Sequence, residues 1–103
     1  MDQVQQGDVL FQRVKQPTEK QTGENKSGVL AYGEVTGHTH KIVGGKALVT
    51  TTERPDVQYL RVLMGPVEVA HEEHGTVTLD EGLWRTSRVF EFDDEEELRV
   101  VID

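Results

Sequence analysis

The chain has 103 residues, enough for one domain with a modest core and too few for two. Apolar residues make up 35% and glycines number ten, so turns are frequent; with no cysteine, disulfides and thiolate ligands are excluded and any metal must be held by nitrogen and oxygen. The formal charge of −8 excludes the clustered basic surface that a nucleic-acid backbone requires, so no nucleic-acid partner is expected.

The acidity is uneven. Residues 90–103 hold seven acids against Arg99 alone, a net of −6, which leaves −2 on the first 89 residues. Such a run reads first as a solvated turn, and second as a patch that imitates nucleic acid. No apolar run approaches the roughly 18 residues that span a bilayer, so no membrane is expected. Met1 to Gln6 lack the charged and apolar regions of a signal peptide, and the expected location is the cytoplasm, of a cell or of the host in which a virion assembles.

In chain order the pattern is one of short β-rich segments between Gly, Pro and polar breaks. Asp8 to Val14 reads as the first strand. Residues 15–28 contain no apolar side chain and include Pro17, Gly23 and Gly28, which predicts a long exposed loop or a mobile hairpin tip, poorly packed in either case. Val29 to Val35 is the next strand, broken by Gly37. His40 to Val43 follows, with a turn expected at Gly44-Gly45, then Lys46 to Thr52 and a turn at Arg54-Pro55-Asp56. Val57 to Leu63, Val67 to His71 and Thr76 to Leu79 are further strands, with Gly65-Pro66 as a break. Leu83 to Phe92 and Leu98 to Ile102 complete the set, and only Asp94 to Leu98 suits a helical turn. No segment sustains a 3.6-residue apolar period. The expected fold is therefore a single all-β domain over residues 1–103, a small barrel or sandwich of about eight or nine strands. Trp84, Phe90 and Phe92 share one strand face and are assigned to the core, whereas Arg85 and Arg88 fall on opposite faces and are expected in ion pairs.

All four histidines lie in two tight pairs, His38-Thr39-His40 and His71-Glu72-Glu73-His74. Scattered core or surface histidines would rarely pair so completely. Imidazole is the commonest metal ligand, and two pairs brought together by the fold supply enough nitrogens for one ion. On a strand, His38 and His40 present both rings to one side, about 7 Å apart. The spacing of three in the second pair suits a tight loop. His38, His40, His71 and His74 are therefore the expected ligands of a divalent ion, Zn²⁺ first, with Fe²⁺, Mn²⁺ or Ni²⁺ also compatible. Glu72 and Glu73, between two ligands, are candidate bases or supporting carboxylates, with Glu73 slightly favoured, and Glu34 is a further candidate.

Gln6-Gly7-Asp8-Val9, Gly33 to His40 and His71 to Gly75, taken together, resemble a family of small proteins common in phage and mobile-element genomes. That resemblance implies a phage-type origin and a shared histidine site, and no reaction. Where members of that family carry an Arg-Glu-Tyr-like triplet late in the chain, this sequence has Val89-Phe90-Glu91-Phe92. A His-x-His on one strand with a later histidine on another also resembles, in part, the metal site of the cupins. The glutamate that cupins carry a few residues after the pair is missing from Lys41 to Lys46.

Three functional classes follow. A structural or interaction protein, with metal closing a small core and a protein partner or second copy as its target, is slightly favoured. A metal-dependent enzyme, cupin-like or hydrolytic, would use the same site with an open position. An acidic inhibitor or nucleic-acid mimic would work through residues 91–97.

Overall fold

A computed structural model describes residues 2–32, 38–92 and 98–100. Glu34, Gly37 and the acidic run 93–97 lie outside the described residues, as does most of the helical turn expected at 94–98. Among the described residues ten strands follow one another: β1 (Gln3–Gln6), β2 (Val9–Val14), β3 (Gln21–Glu24), β4 (Val29–Tyr32), β5 (Thr39–Thr52), β6 (Gln58–Ala70), β7 (Val77–Leu79), β8 (Gly82–Arg88), β9 (Phe90–Phe92) and β10 (Leu98–Val100). Among the described residues there is no helix. Eight strands form one antiparallel sheet in the order β1-β2-β8-β6-β5-β3, with β4 also paired to β5 and β7 also paired to β6; β9 and β10 pair separately. The all-β expectation from alternation and turn spacing holds.

The spine is the long β5–β6 hairpin, and it corrects two expected turns. Gly44-Gly45 and Gly65-Pro66 do not end strands; they are irregularities inside them, where the ladder slips between Ile42 and Ala47. Gly45 sits at φ +81°, and a Cβ there would come within 2.5 Å of the Pro66 carbonyl oxygen and 2.7 Å of a Val67 methyl. The two breaks therefore face each other across the hairpin and bend both strands at one level. Local sequence cannot separate a turn from a bulge when Gly supplies the positive φ for either.

Bending lets the sheet roll. Gln6, on the edge strand β1, reaches across to the Val69 carbonyl of β6, although β2 and β8 stand between those strands in the sheet order. The enclosed core contains Val9 and Phe11 of β2, Leu60, Val62, Val67 and Val69 of β6, and Trp84 of β8, so Trp84 is a core residue as expected. Alternation places Tyr59 and Leu83 on the opposite face, in a second cluster with Val57.

That second face explains the next correction. Residues 15–28 are not a continuous loop, because Gln21 to Glu24 pair with Thr50 to Thr52 as an exposed edge strand. Edge strands bury little, so this one carries no apolar signal. The preceding segment is pinned by polar contacts. Glu19 accepts two bonds from Arg85, at 3.1 and 2.9 Å, and one from the Tyr59 hydroxyl at 2.5 Å. The Thr18 amide in turn donates to that hydroxyl at 2.9 Å. The Glu19 carboxyl is lowered from 4.5 to about 2, first by Arg85 and then by Tyr59.

Candidate metal centre

The β5–β6 ladder pairs Lys41 with Ala70. The next residues outward, His40 and His71, therefore meet at the end of the hairpin, where the chain leaves β6. Their rings lie 4.5 Å apart, centre to centre. His38, just before β5, meets His71 edge-on at 5.4 Å, and His74, in the connection to β7, packs against it at 4.7 Å. The other three predicted histidines thus gather around His71. His40 is 0% and His71 8% exposed.

The ring nitrogens have unequal roles. Nε2 of His40 lies 3.0 Å from Oδ1 of Asp8, and Nδ1 lies 2.9 Å from Oε1 of Gln6. The Gln6 amide nitrogen already donates to the Val69 and Gly75 carbonyls, at 2.9 Å each, so its oxygen must be the atom facing the ring. Both nitrogens of His40 consequently face oxygen partners inside the fold, which leaves neither of them for another ligand. The other oxygen of Asp8 is paired with Nη2 of Arg88. Gln6 does more than hold His40: its two carbonyl partners bracket the residues that carry His71 and His74, so one amide ties the base of that loop to the strand opposite.

His71 closes its own turn. Its Nδ1 accepts the backbone N–H of Glu73 at 3.1 Å and that of His74 at 3.3 Å. A neutral His71 then carries its proton on Nε2. Nδ1 of His38 and Nε2 of His74, by contrast, are buried with no hydrogen-bond partner among the described residues. Buried nitrogens of this kind normally have a protein group, a water or an ion against them.

The two glutamates also separate. Glu72 takes the Thr39 backbone N–H with both oxygens, at 2.9 and 3.2 Å, and clasps the loop to the start of β5. That bond is the main reason its carboxyl is lowered. Glu73 is 61% exposed, with Oε1 3.8 Å from Nε2 of His38. In this arrangement no group of three or more His, Asp or Glu side chains among the described residues presents its ligand atoms around a point that could hold an ion.

Residue patterns alone left several members of the site without a role. Gln6 and Asp8 are buried and Arg88 is half-buried. Sequence places Asp8 at the start of a strand and in the Gln6-to-Val9 block, and gives it no contact with a histidine. The signal available was Gln6-Gly7-Asp8-Val9 as a block, with Gly7 at φ 57° turning β1 into β2 so that Gln6 and Asp8 both reach His40. Strand β1 carries no alternating signal in the sequence because Val4 is its only apolar residue.

Fold and site together define a small all-β domain built around a buried histidine cluster. Residues 5–89 match the family described as a domain of unknown function (DUF8820), and the chain belongs to that family. No curated protein and no solved structure matches it. Among the described residues no helix is long and apolar enough to cross a membrane.

Proposed function

We propose that this domain binds one divalent metal ion at the histidine cluster, in a structural or interaction role, as a small protein of phage type. The observation that carries the reading is the pair of buried imidazole nitrogens without a partner among the described residues, His38 Nδ1 and His74 Nε2, on either side of His71. A nitrogen lone pair kept from water and from any donor is what a metal ion would satisfy. His38 and His74 would be the first ligands, with Glu73 beside His38 to add a carboxylate, and His71 would join them only with its Nε2 proton given up or its turn bonds on Nδ1 released. His40 supports the site from below, because Gln6 and Asp8 occupy both its nitrogens. Donors limited to nitrogen and carboxylate oxygen suit Zn²⁺ and also Fe²⁺, Mn²⁺ or Ni²⁺. The bound ion would join the loop after β6 to the start of β5 and add its binding energy to folding.

Metal analysis of the purified protein tests this, together with melting curves in chelator and after addition of Zn²⁺. The expected result is about one ion per chain and a melting temperature that falls in chelator and returns with the ion. A metal-free protein whose melting ignores both treatments sinks the proposal.

An enzymatic reading of the same centre now turns on Glu73. Glu72 is committed to the Thr39 amide, whereas the Glu73 carboxylate stands exposed beside His38. Glu73→Gln with metal retained and a hydrolase or oxygenase activity lost would favour catalysis; a parent without such activity favours the structural role.

A further inference from the structure

We propose that the groove between β4, the 53–57 turn and the end of β8 binds a small organic anion, with Arg88 as its anchor. The groove measures about 620 Å³, and its walls include Val29, Leu30, Pro55 and Val57, with Arg88 among the lining residues. A volume of that size accommodates a small molecule, and the usual pattern is an apolar wall with a few polar groups that fix orientation.

The polar groups at this wall are mostly spent. The Asn25 amide nitrogen donates to the Val29 carbonyl and to Gln58, and the Gln58 amide nitrogen donates to the Leu30 carbonyl. The Ser27 hydroxyl donates to Asn25 at 2.7 Å. Arg54 is paired with Asp56 at 3.0 Å. Arg88 differs. A guanidinium carries five N–H donors, and among the described residues its only ion pair is through Nη2 with Asp8, while Nε is buried without a partner. Its side chain is 23% exposed, whereas the Asp8 side chain behind it is 0% exposed. Nη2 is thus fixed from inside the fold, Nε at the base of the wall has no partner among the described residues, and the side chain as a whole keeps some exposure toward the groove it lines. A carboxylate suits a planar guanidinium fork, and the apolar walls suit the hydrocarbon body that a carboxylate can carry.

The test is an amide-resolved NMR titration of the full chain, kept metal-free with chelator so that the histidine cluster plays no part. Benzoate is the probe, with neutral benzamide and inorganic phosphate beside it. The expected result is saturable shifts at Ser27, Ala31, Asp56 and Gln58 with benzoate, and binding about tenfold weaker for benzamide and for the Arg88→Lys variant. Arg88→Lys keeps a cation against Asp8 and removes the fork. Should that variant fail to fold, the comparison of benzoate with benzamide on the parent chain decides alone. The proposal is overturned by the absence of saturable shifts with benzoate, by equal binding of benzamide, or by a folded Arg88→Lys that binds as the parent does. Tighter binding of phosphate than of benzoate would also overturn it, since the apolar walls would then contribute nothing.

Discussion

In the centre formed by Glu19, Tyr59 and Arg85, each carboxylate oxygen has a donor aimed at it, and the tyrosine hydroxyl both donates to Glu19 and accepts from the Thr18 amide. The histidine centre is built on a network of the same kind, running from Gln6 through His40 and Asp8 to Arg88, but it is not closed in the same way. Two of its ring nitrogens, on His38 and His74, are buried without a partner among the described residues. Complete pairing is the mark of a group that holds the fold together, since each buried polar atom then offsets its own desolvation. Leftover donors and acceptors are where a protein has something to offer to another species. By that criterion the first centre is finished, and the second is where the proposed ion would bind.

The largest effect should come from cutting the support beneath the histidines. Asp8→Ala would leave His40 and Arg88 without their shared carboxylate in the core, a loss of about 3–5 kcal/mol. Most of the stability of a domain this size would go, and a thermal melt should show no cooperative transition or one displaced far downward. A variant that melts like the parent would mean the network is not what holds this end of the sheet.

Occupancy of the second centre comes next. In the His38→Ala, His74→Ala double variant the metal-free protein should melt modestly below the parent, through the lost ring packing on His71, because neither orphan nitrogen has a bond partner among the described residues. The rise on adding Zn²⁺ should vanish. For the parent that rise corresponds to about 2.7 kcal/mol when free ion exceeds the dissociation constant a hundredfold. Equal rises in both proteins would separate the ion from these side chains.

The closed centre predicts a pH signature. With the Glu19 carboxyl lowered from 4.5 to about 2, the folded state holds its proton more weakly than the unfolded chain does. Its contribution is complete above the unfolded value and is lost as pH falls from 4.5 towards about 2. Glu19→Gln should cost about 1–2 kcal/mol at neutral pH, and the difference between parent and variant should shrink across that acidic window. Chemical denaturation of both at several pH values reads it directly. A gap that stays constant would show that the ion pair adds nothing at neutral pH.

The smallest effect belongs to Glu72. Its carboxylate is exposed, so Glu72→Gln should change melting little while weakening the clasp on the Thr39 amide. Faster hydrogen exchange at Thr39, with metal content unchanged, is the expected outcome. Unaltered exchange would remove Glu72 from the structure of the centre.

The histidine spacing announced the site because ligating chemistry is concentrated in a rare side chain, and pairs two and three residues apart can share one location by local geometry alone. What the spacing could not convey was how each nitrogen is used. His40 and His71 look alike in sequence, yet one is gripped by Gln6 and Asp8 and the other closes its own turn. Glu72 and Glu73 are likewise neighbours with different duties, because adjacent backbone directions send one carboxylate to Thr39 and leave the other in solvent. The partners of His40 and Glu72 come from residues over thirty positions away, and no local pattern encodes them.

The amino-acid order by itself determined the strand content, since period-two alternation and turn residues act over a few positions, and it determined that any metal site would be histidine and carboxylate without thiolate. Tertiary structure alone decided that Gly44-Gly45 and Gly65-Pro66 are facing bends in one hairpin, that a polar segment without apolar residues is fastened by Glu19, and that Gln6 and Asp8 lie beneath His40. Each of these rests on a contact closed across the rolled sheet, and its energy exists only once distant strands have come together.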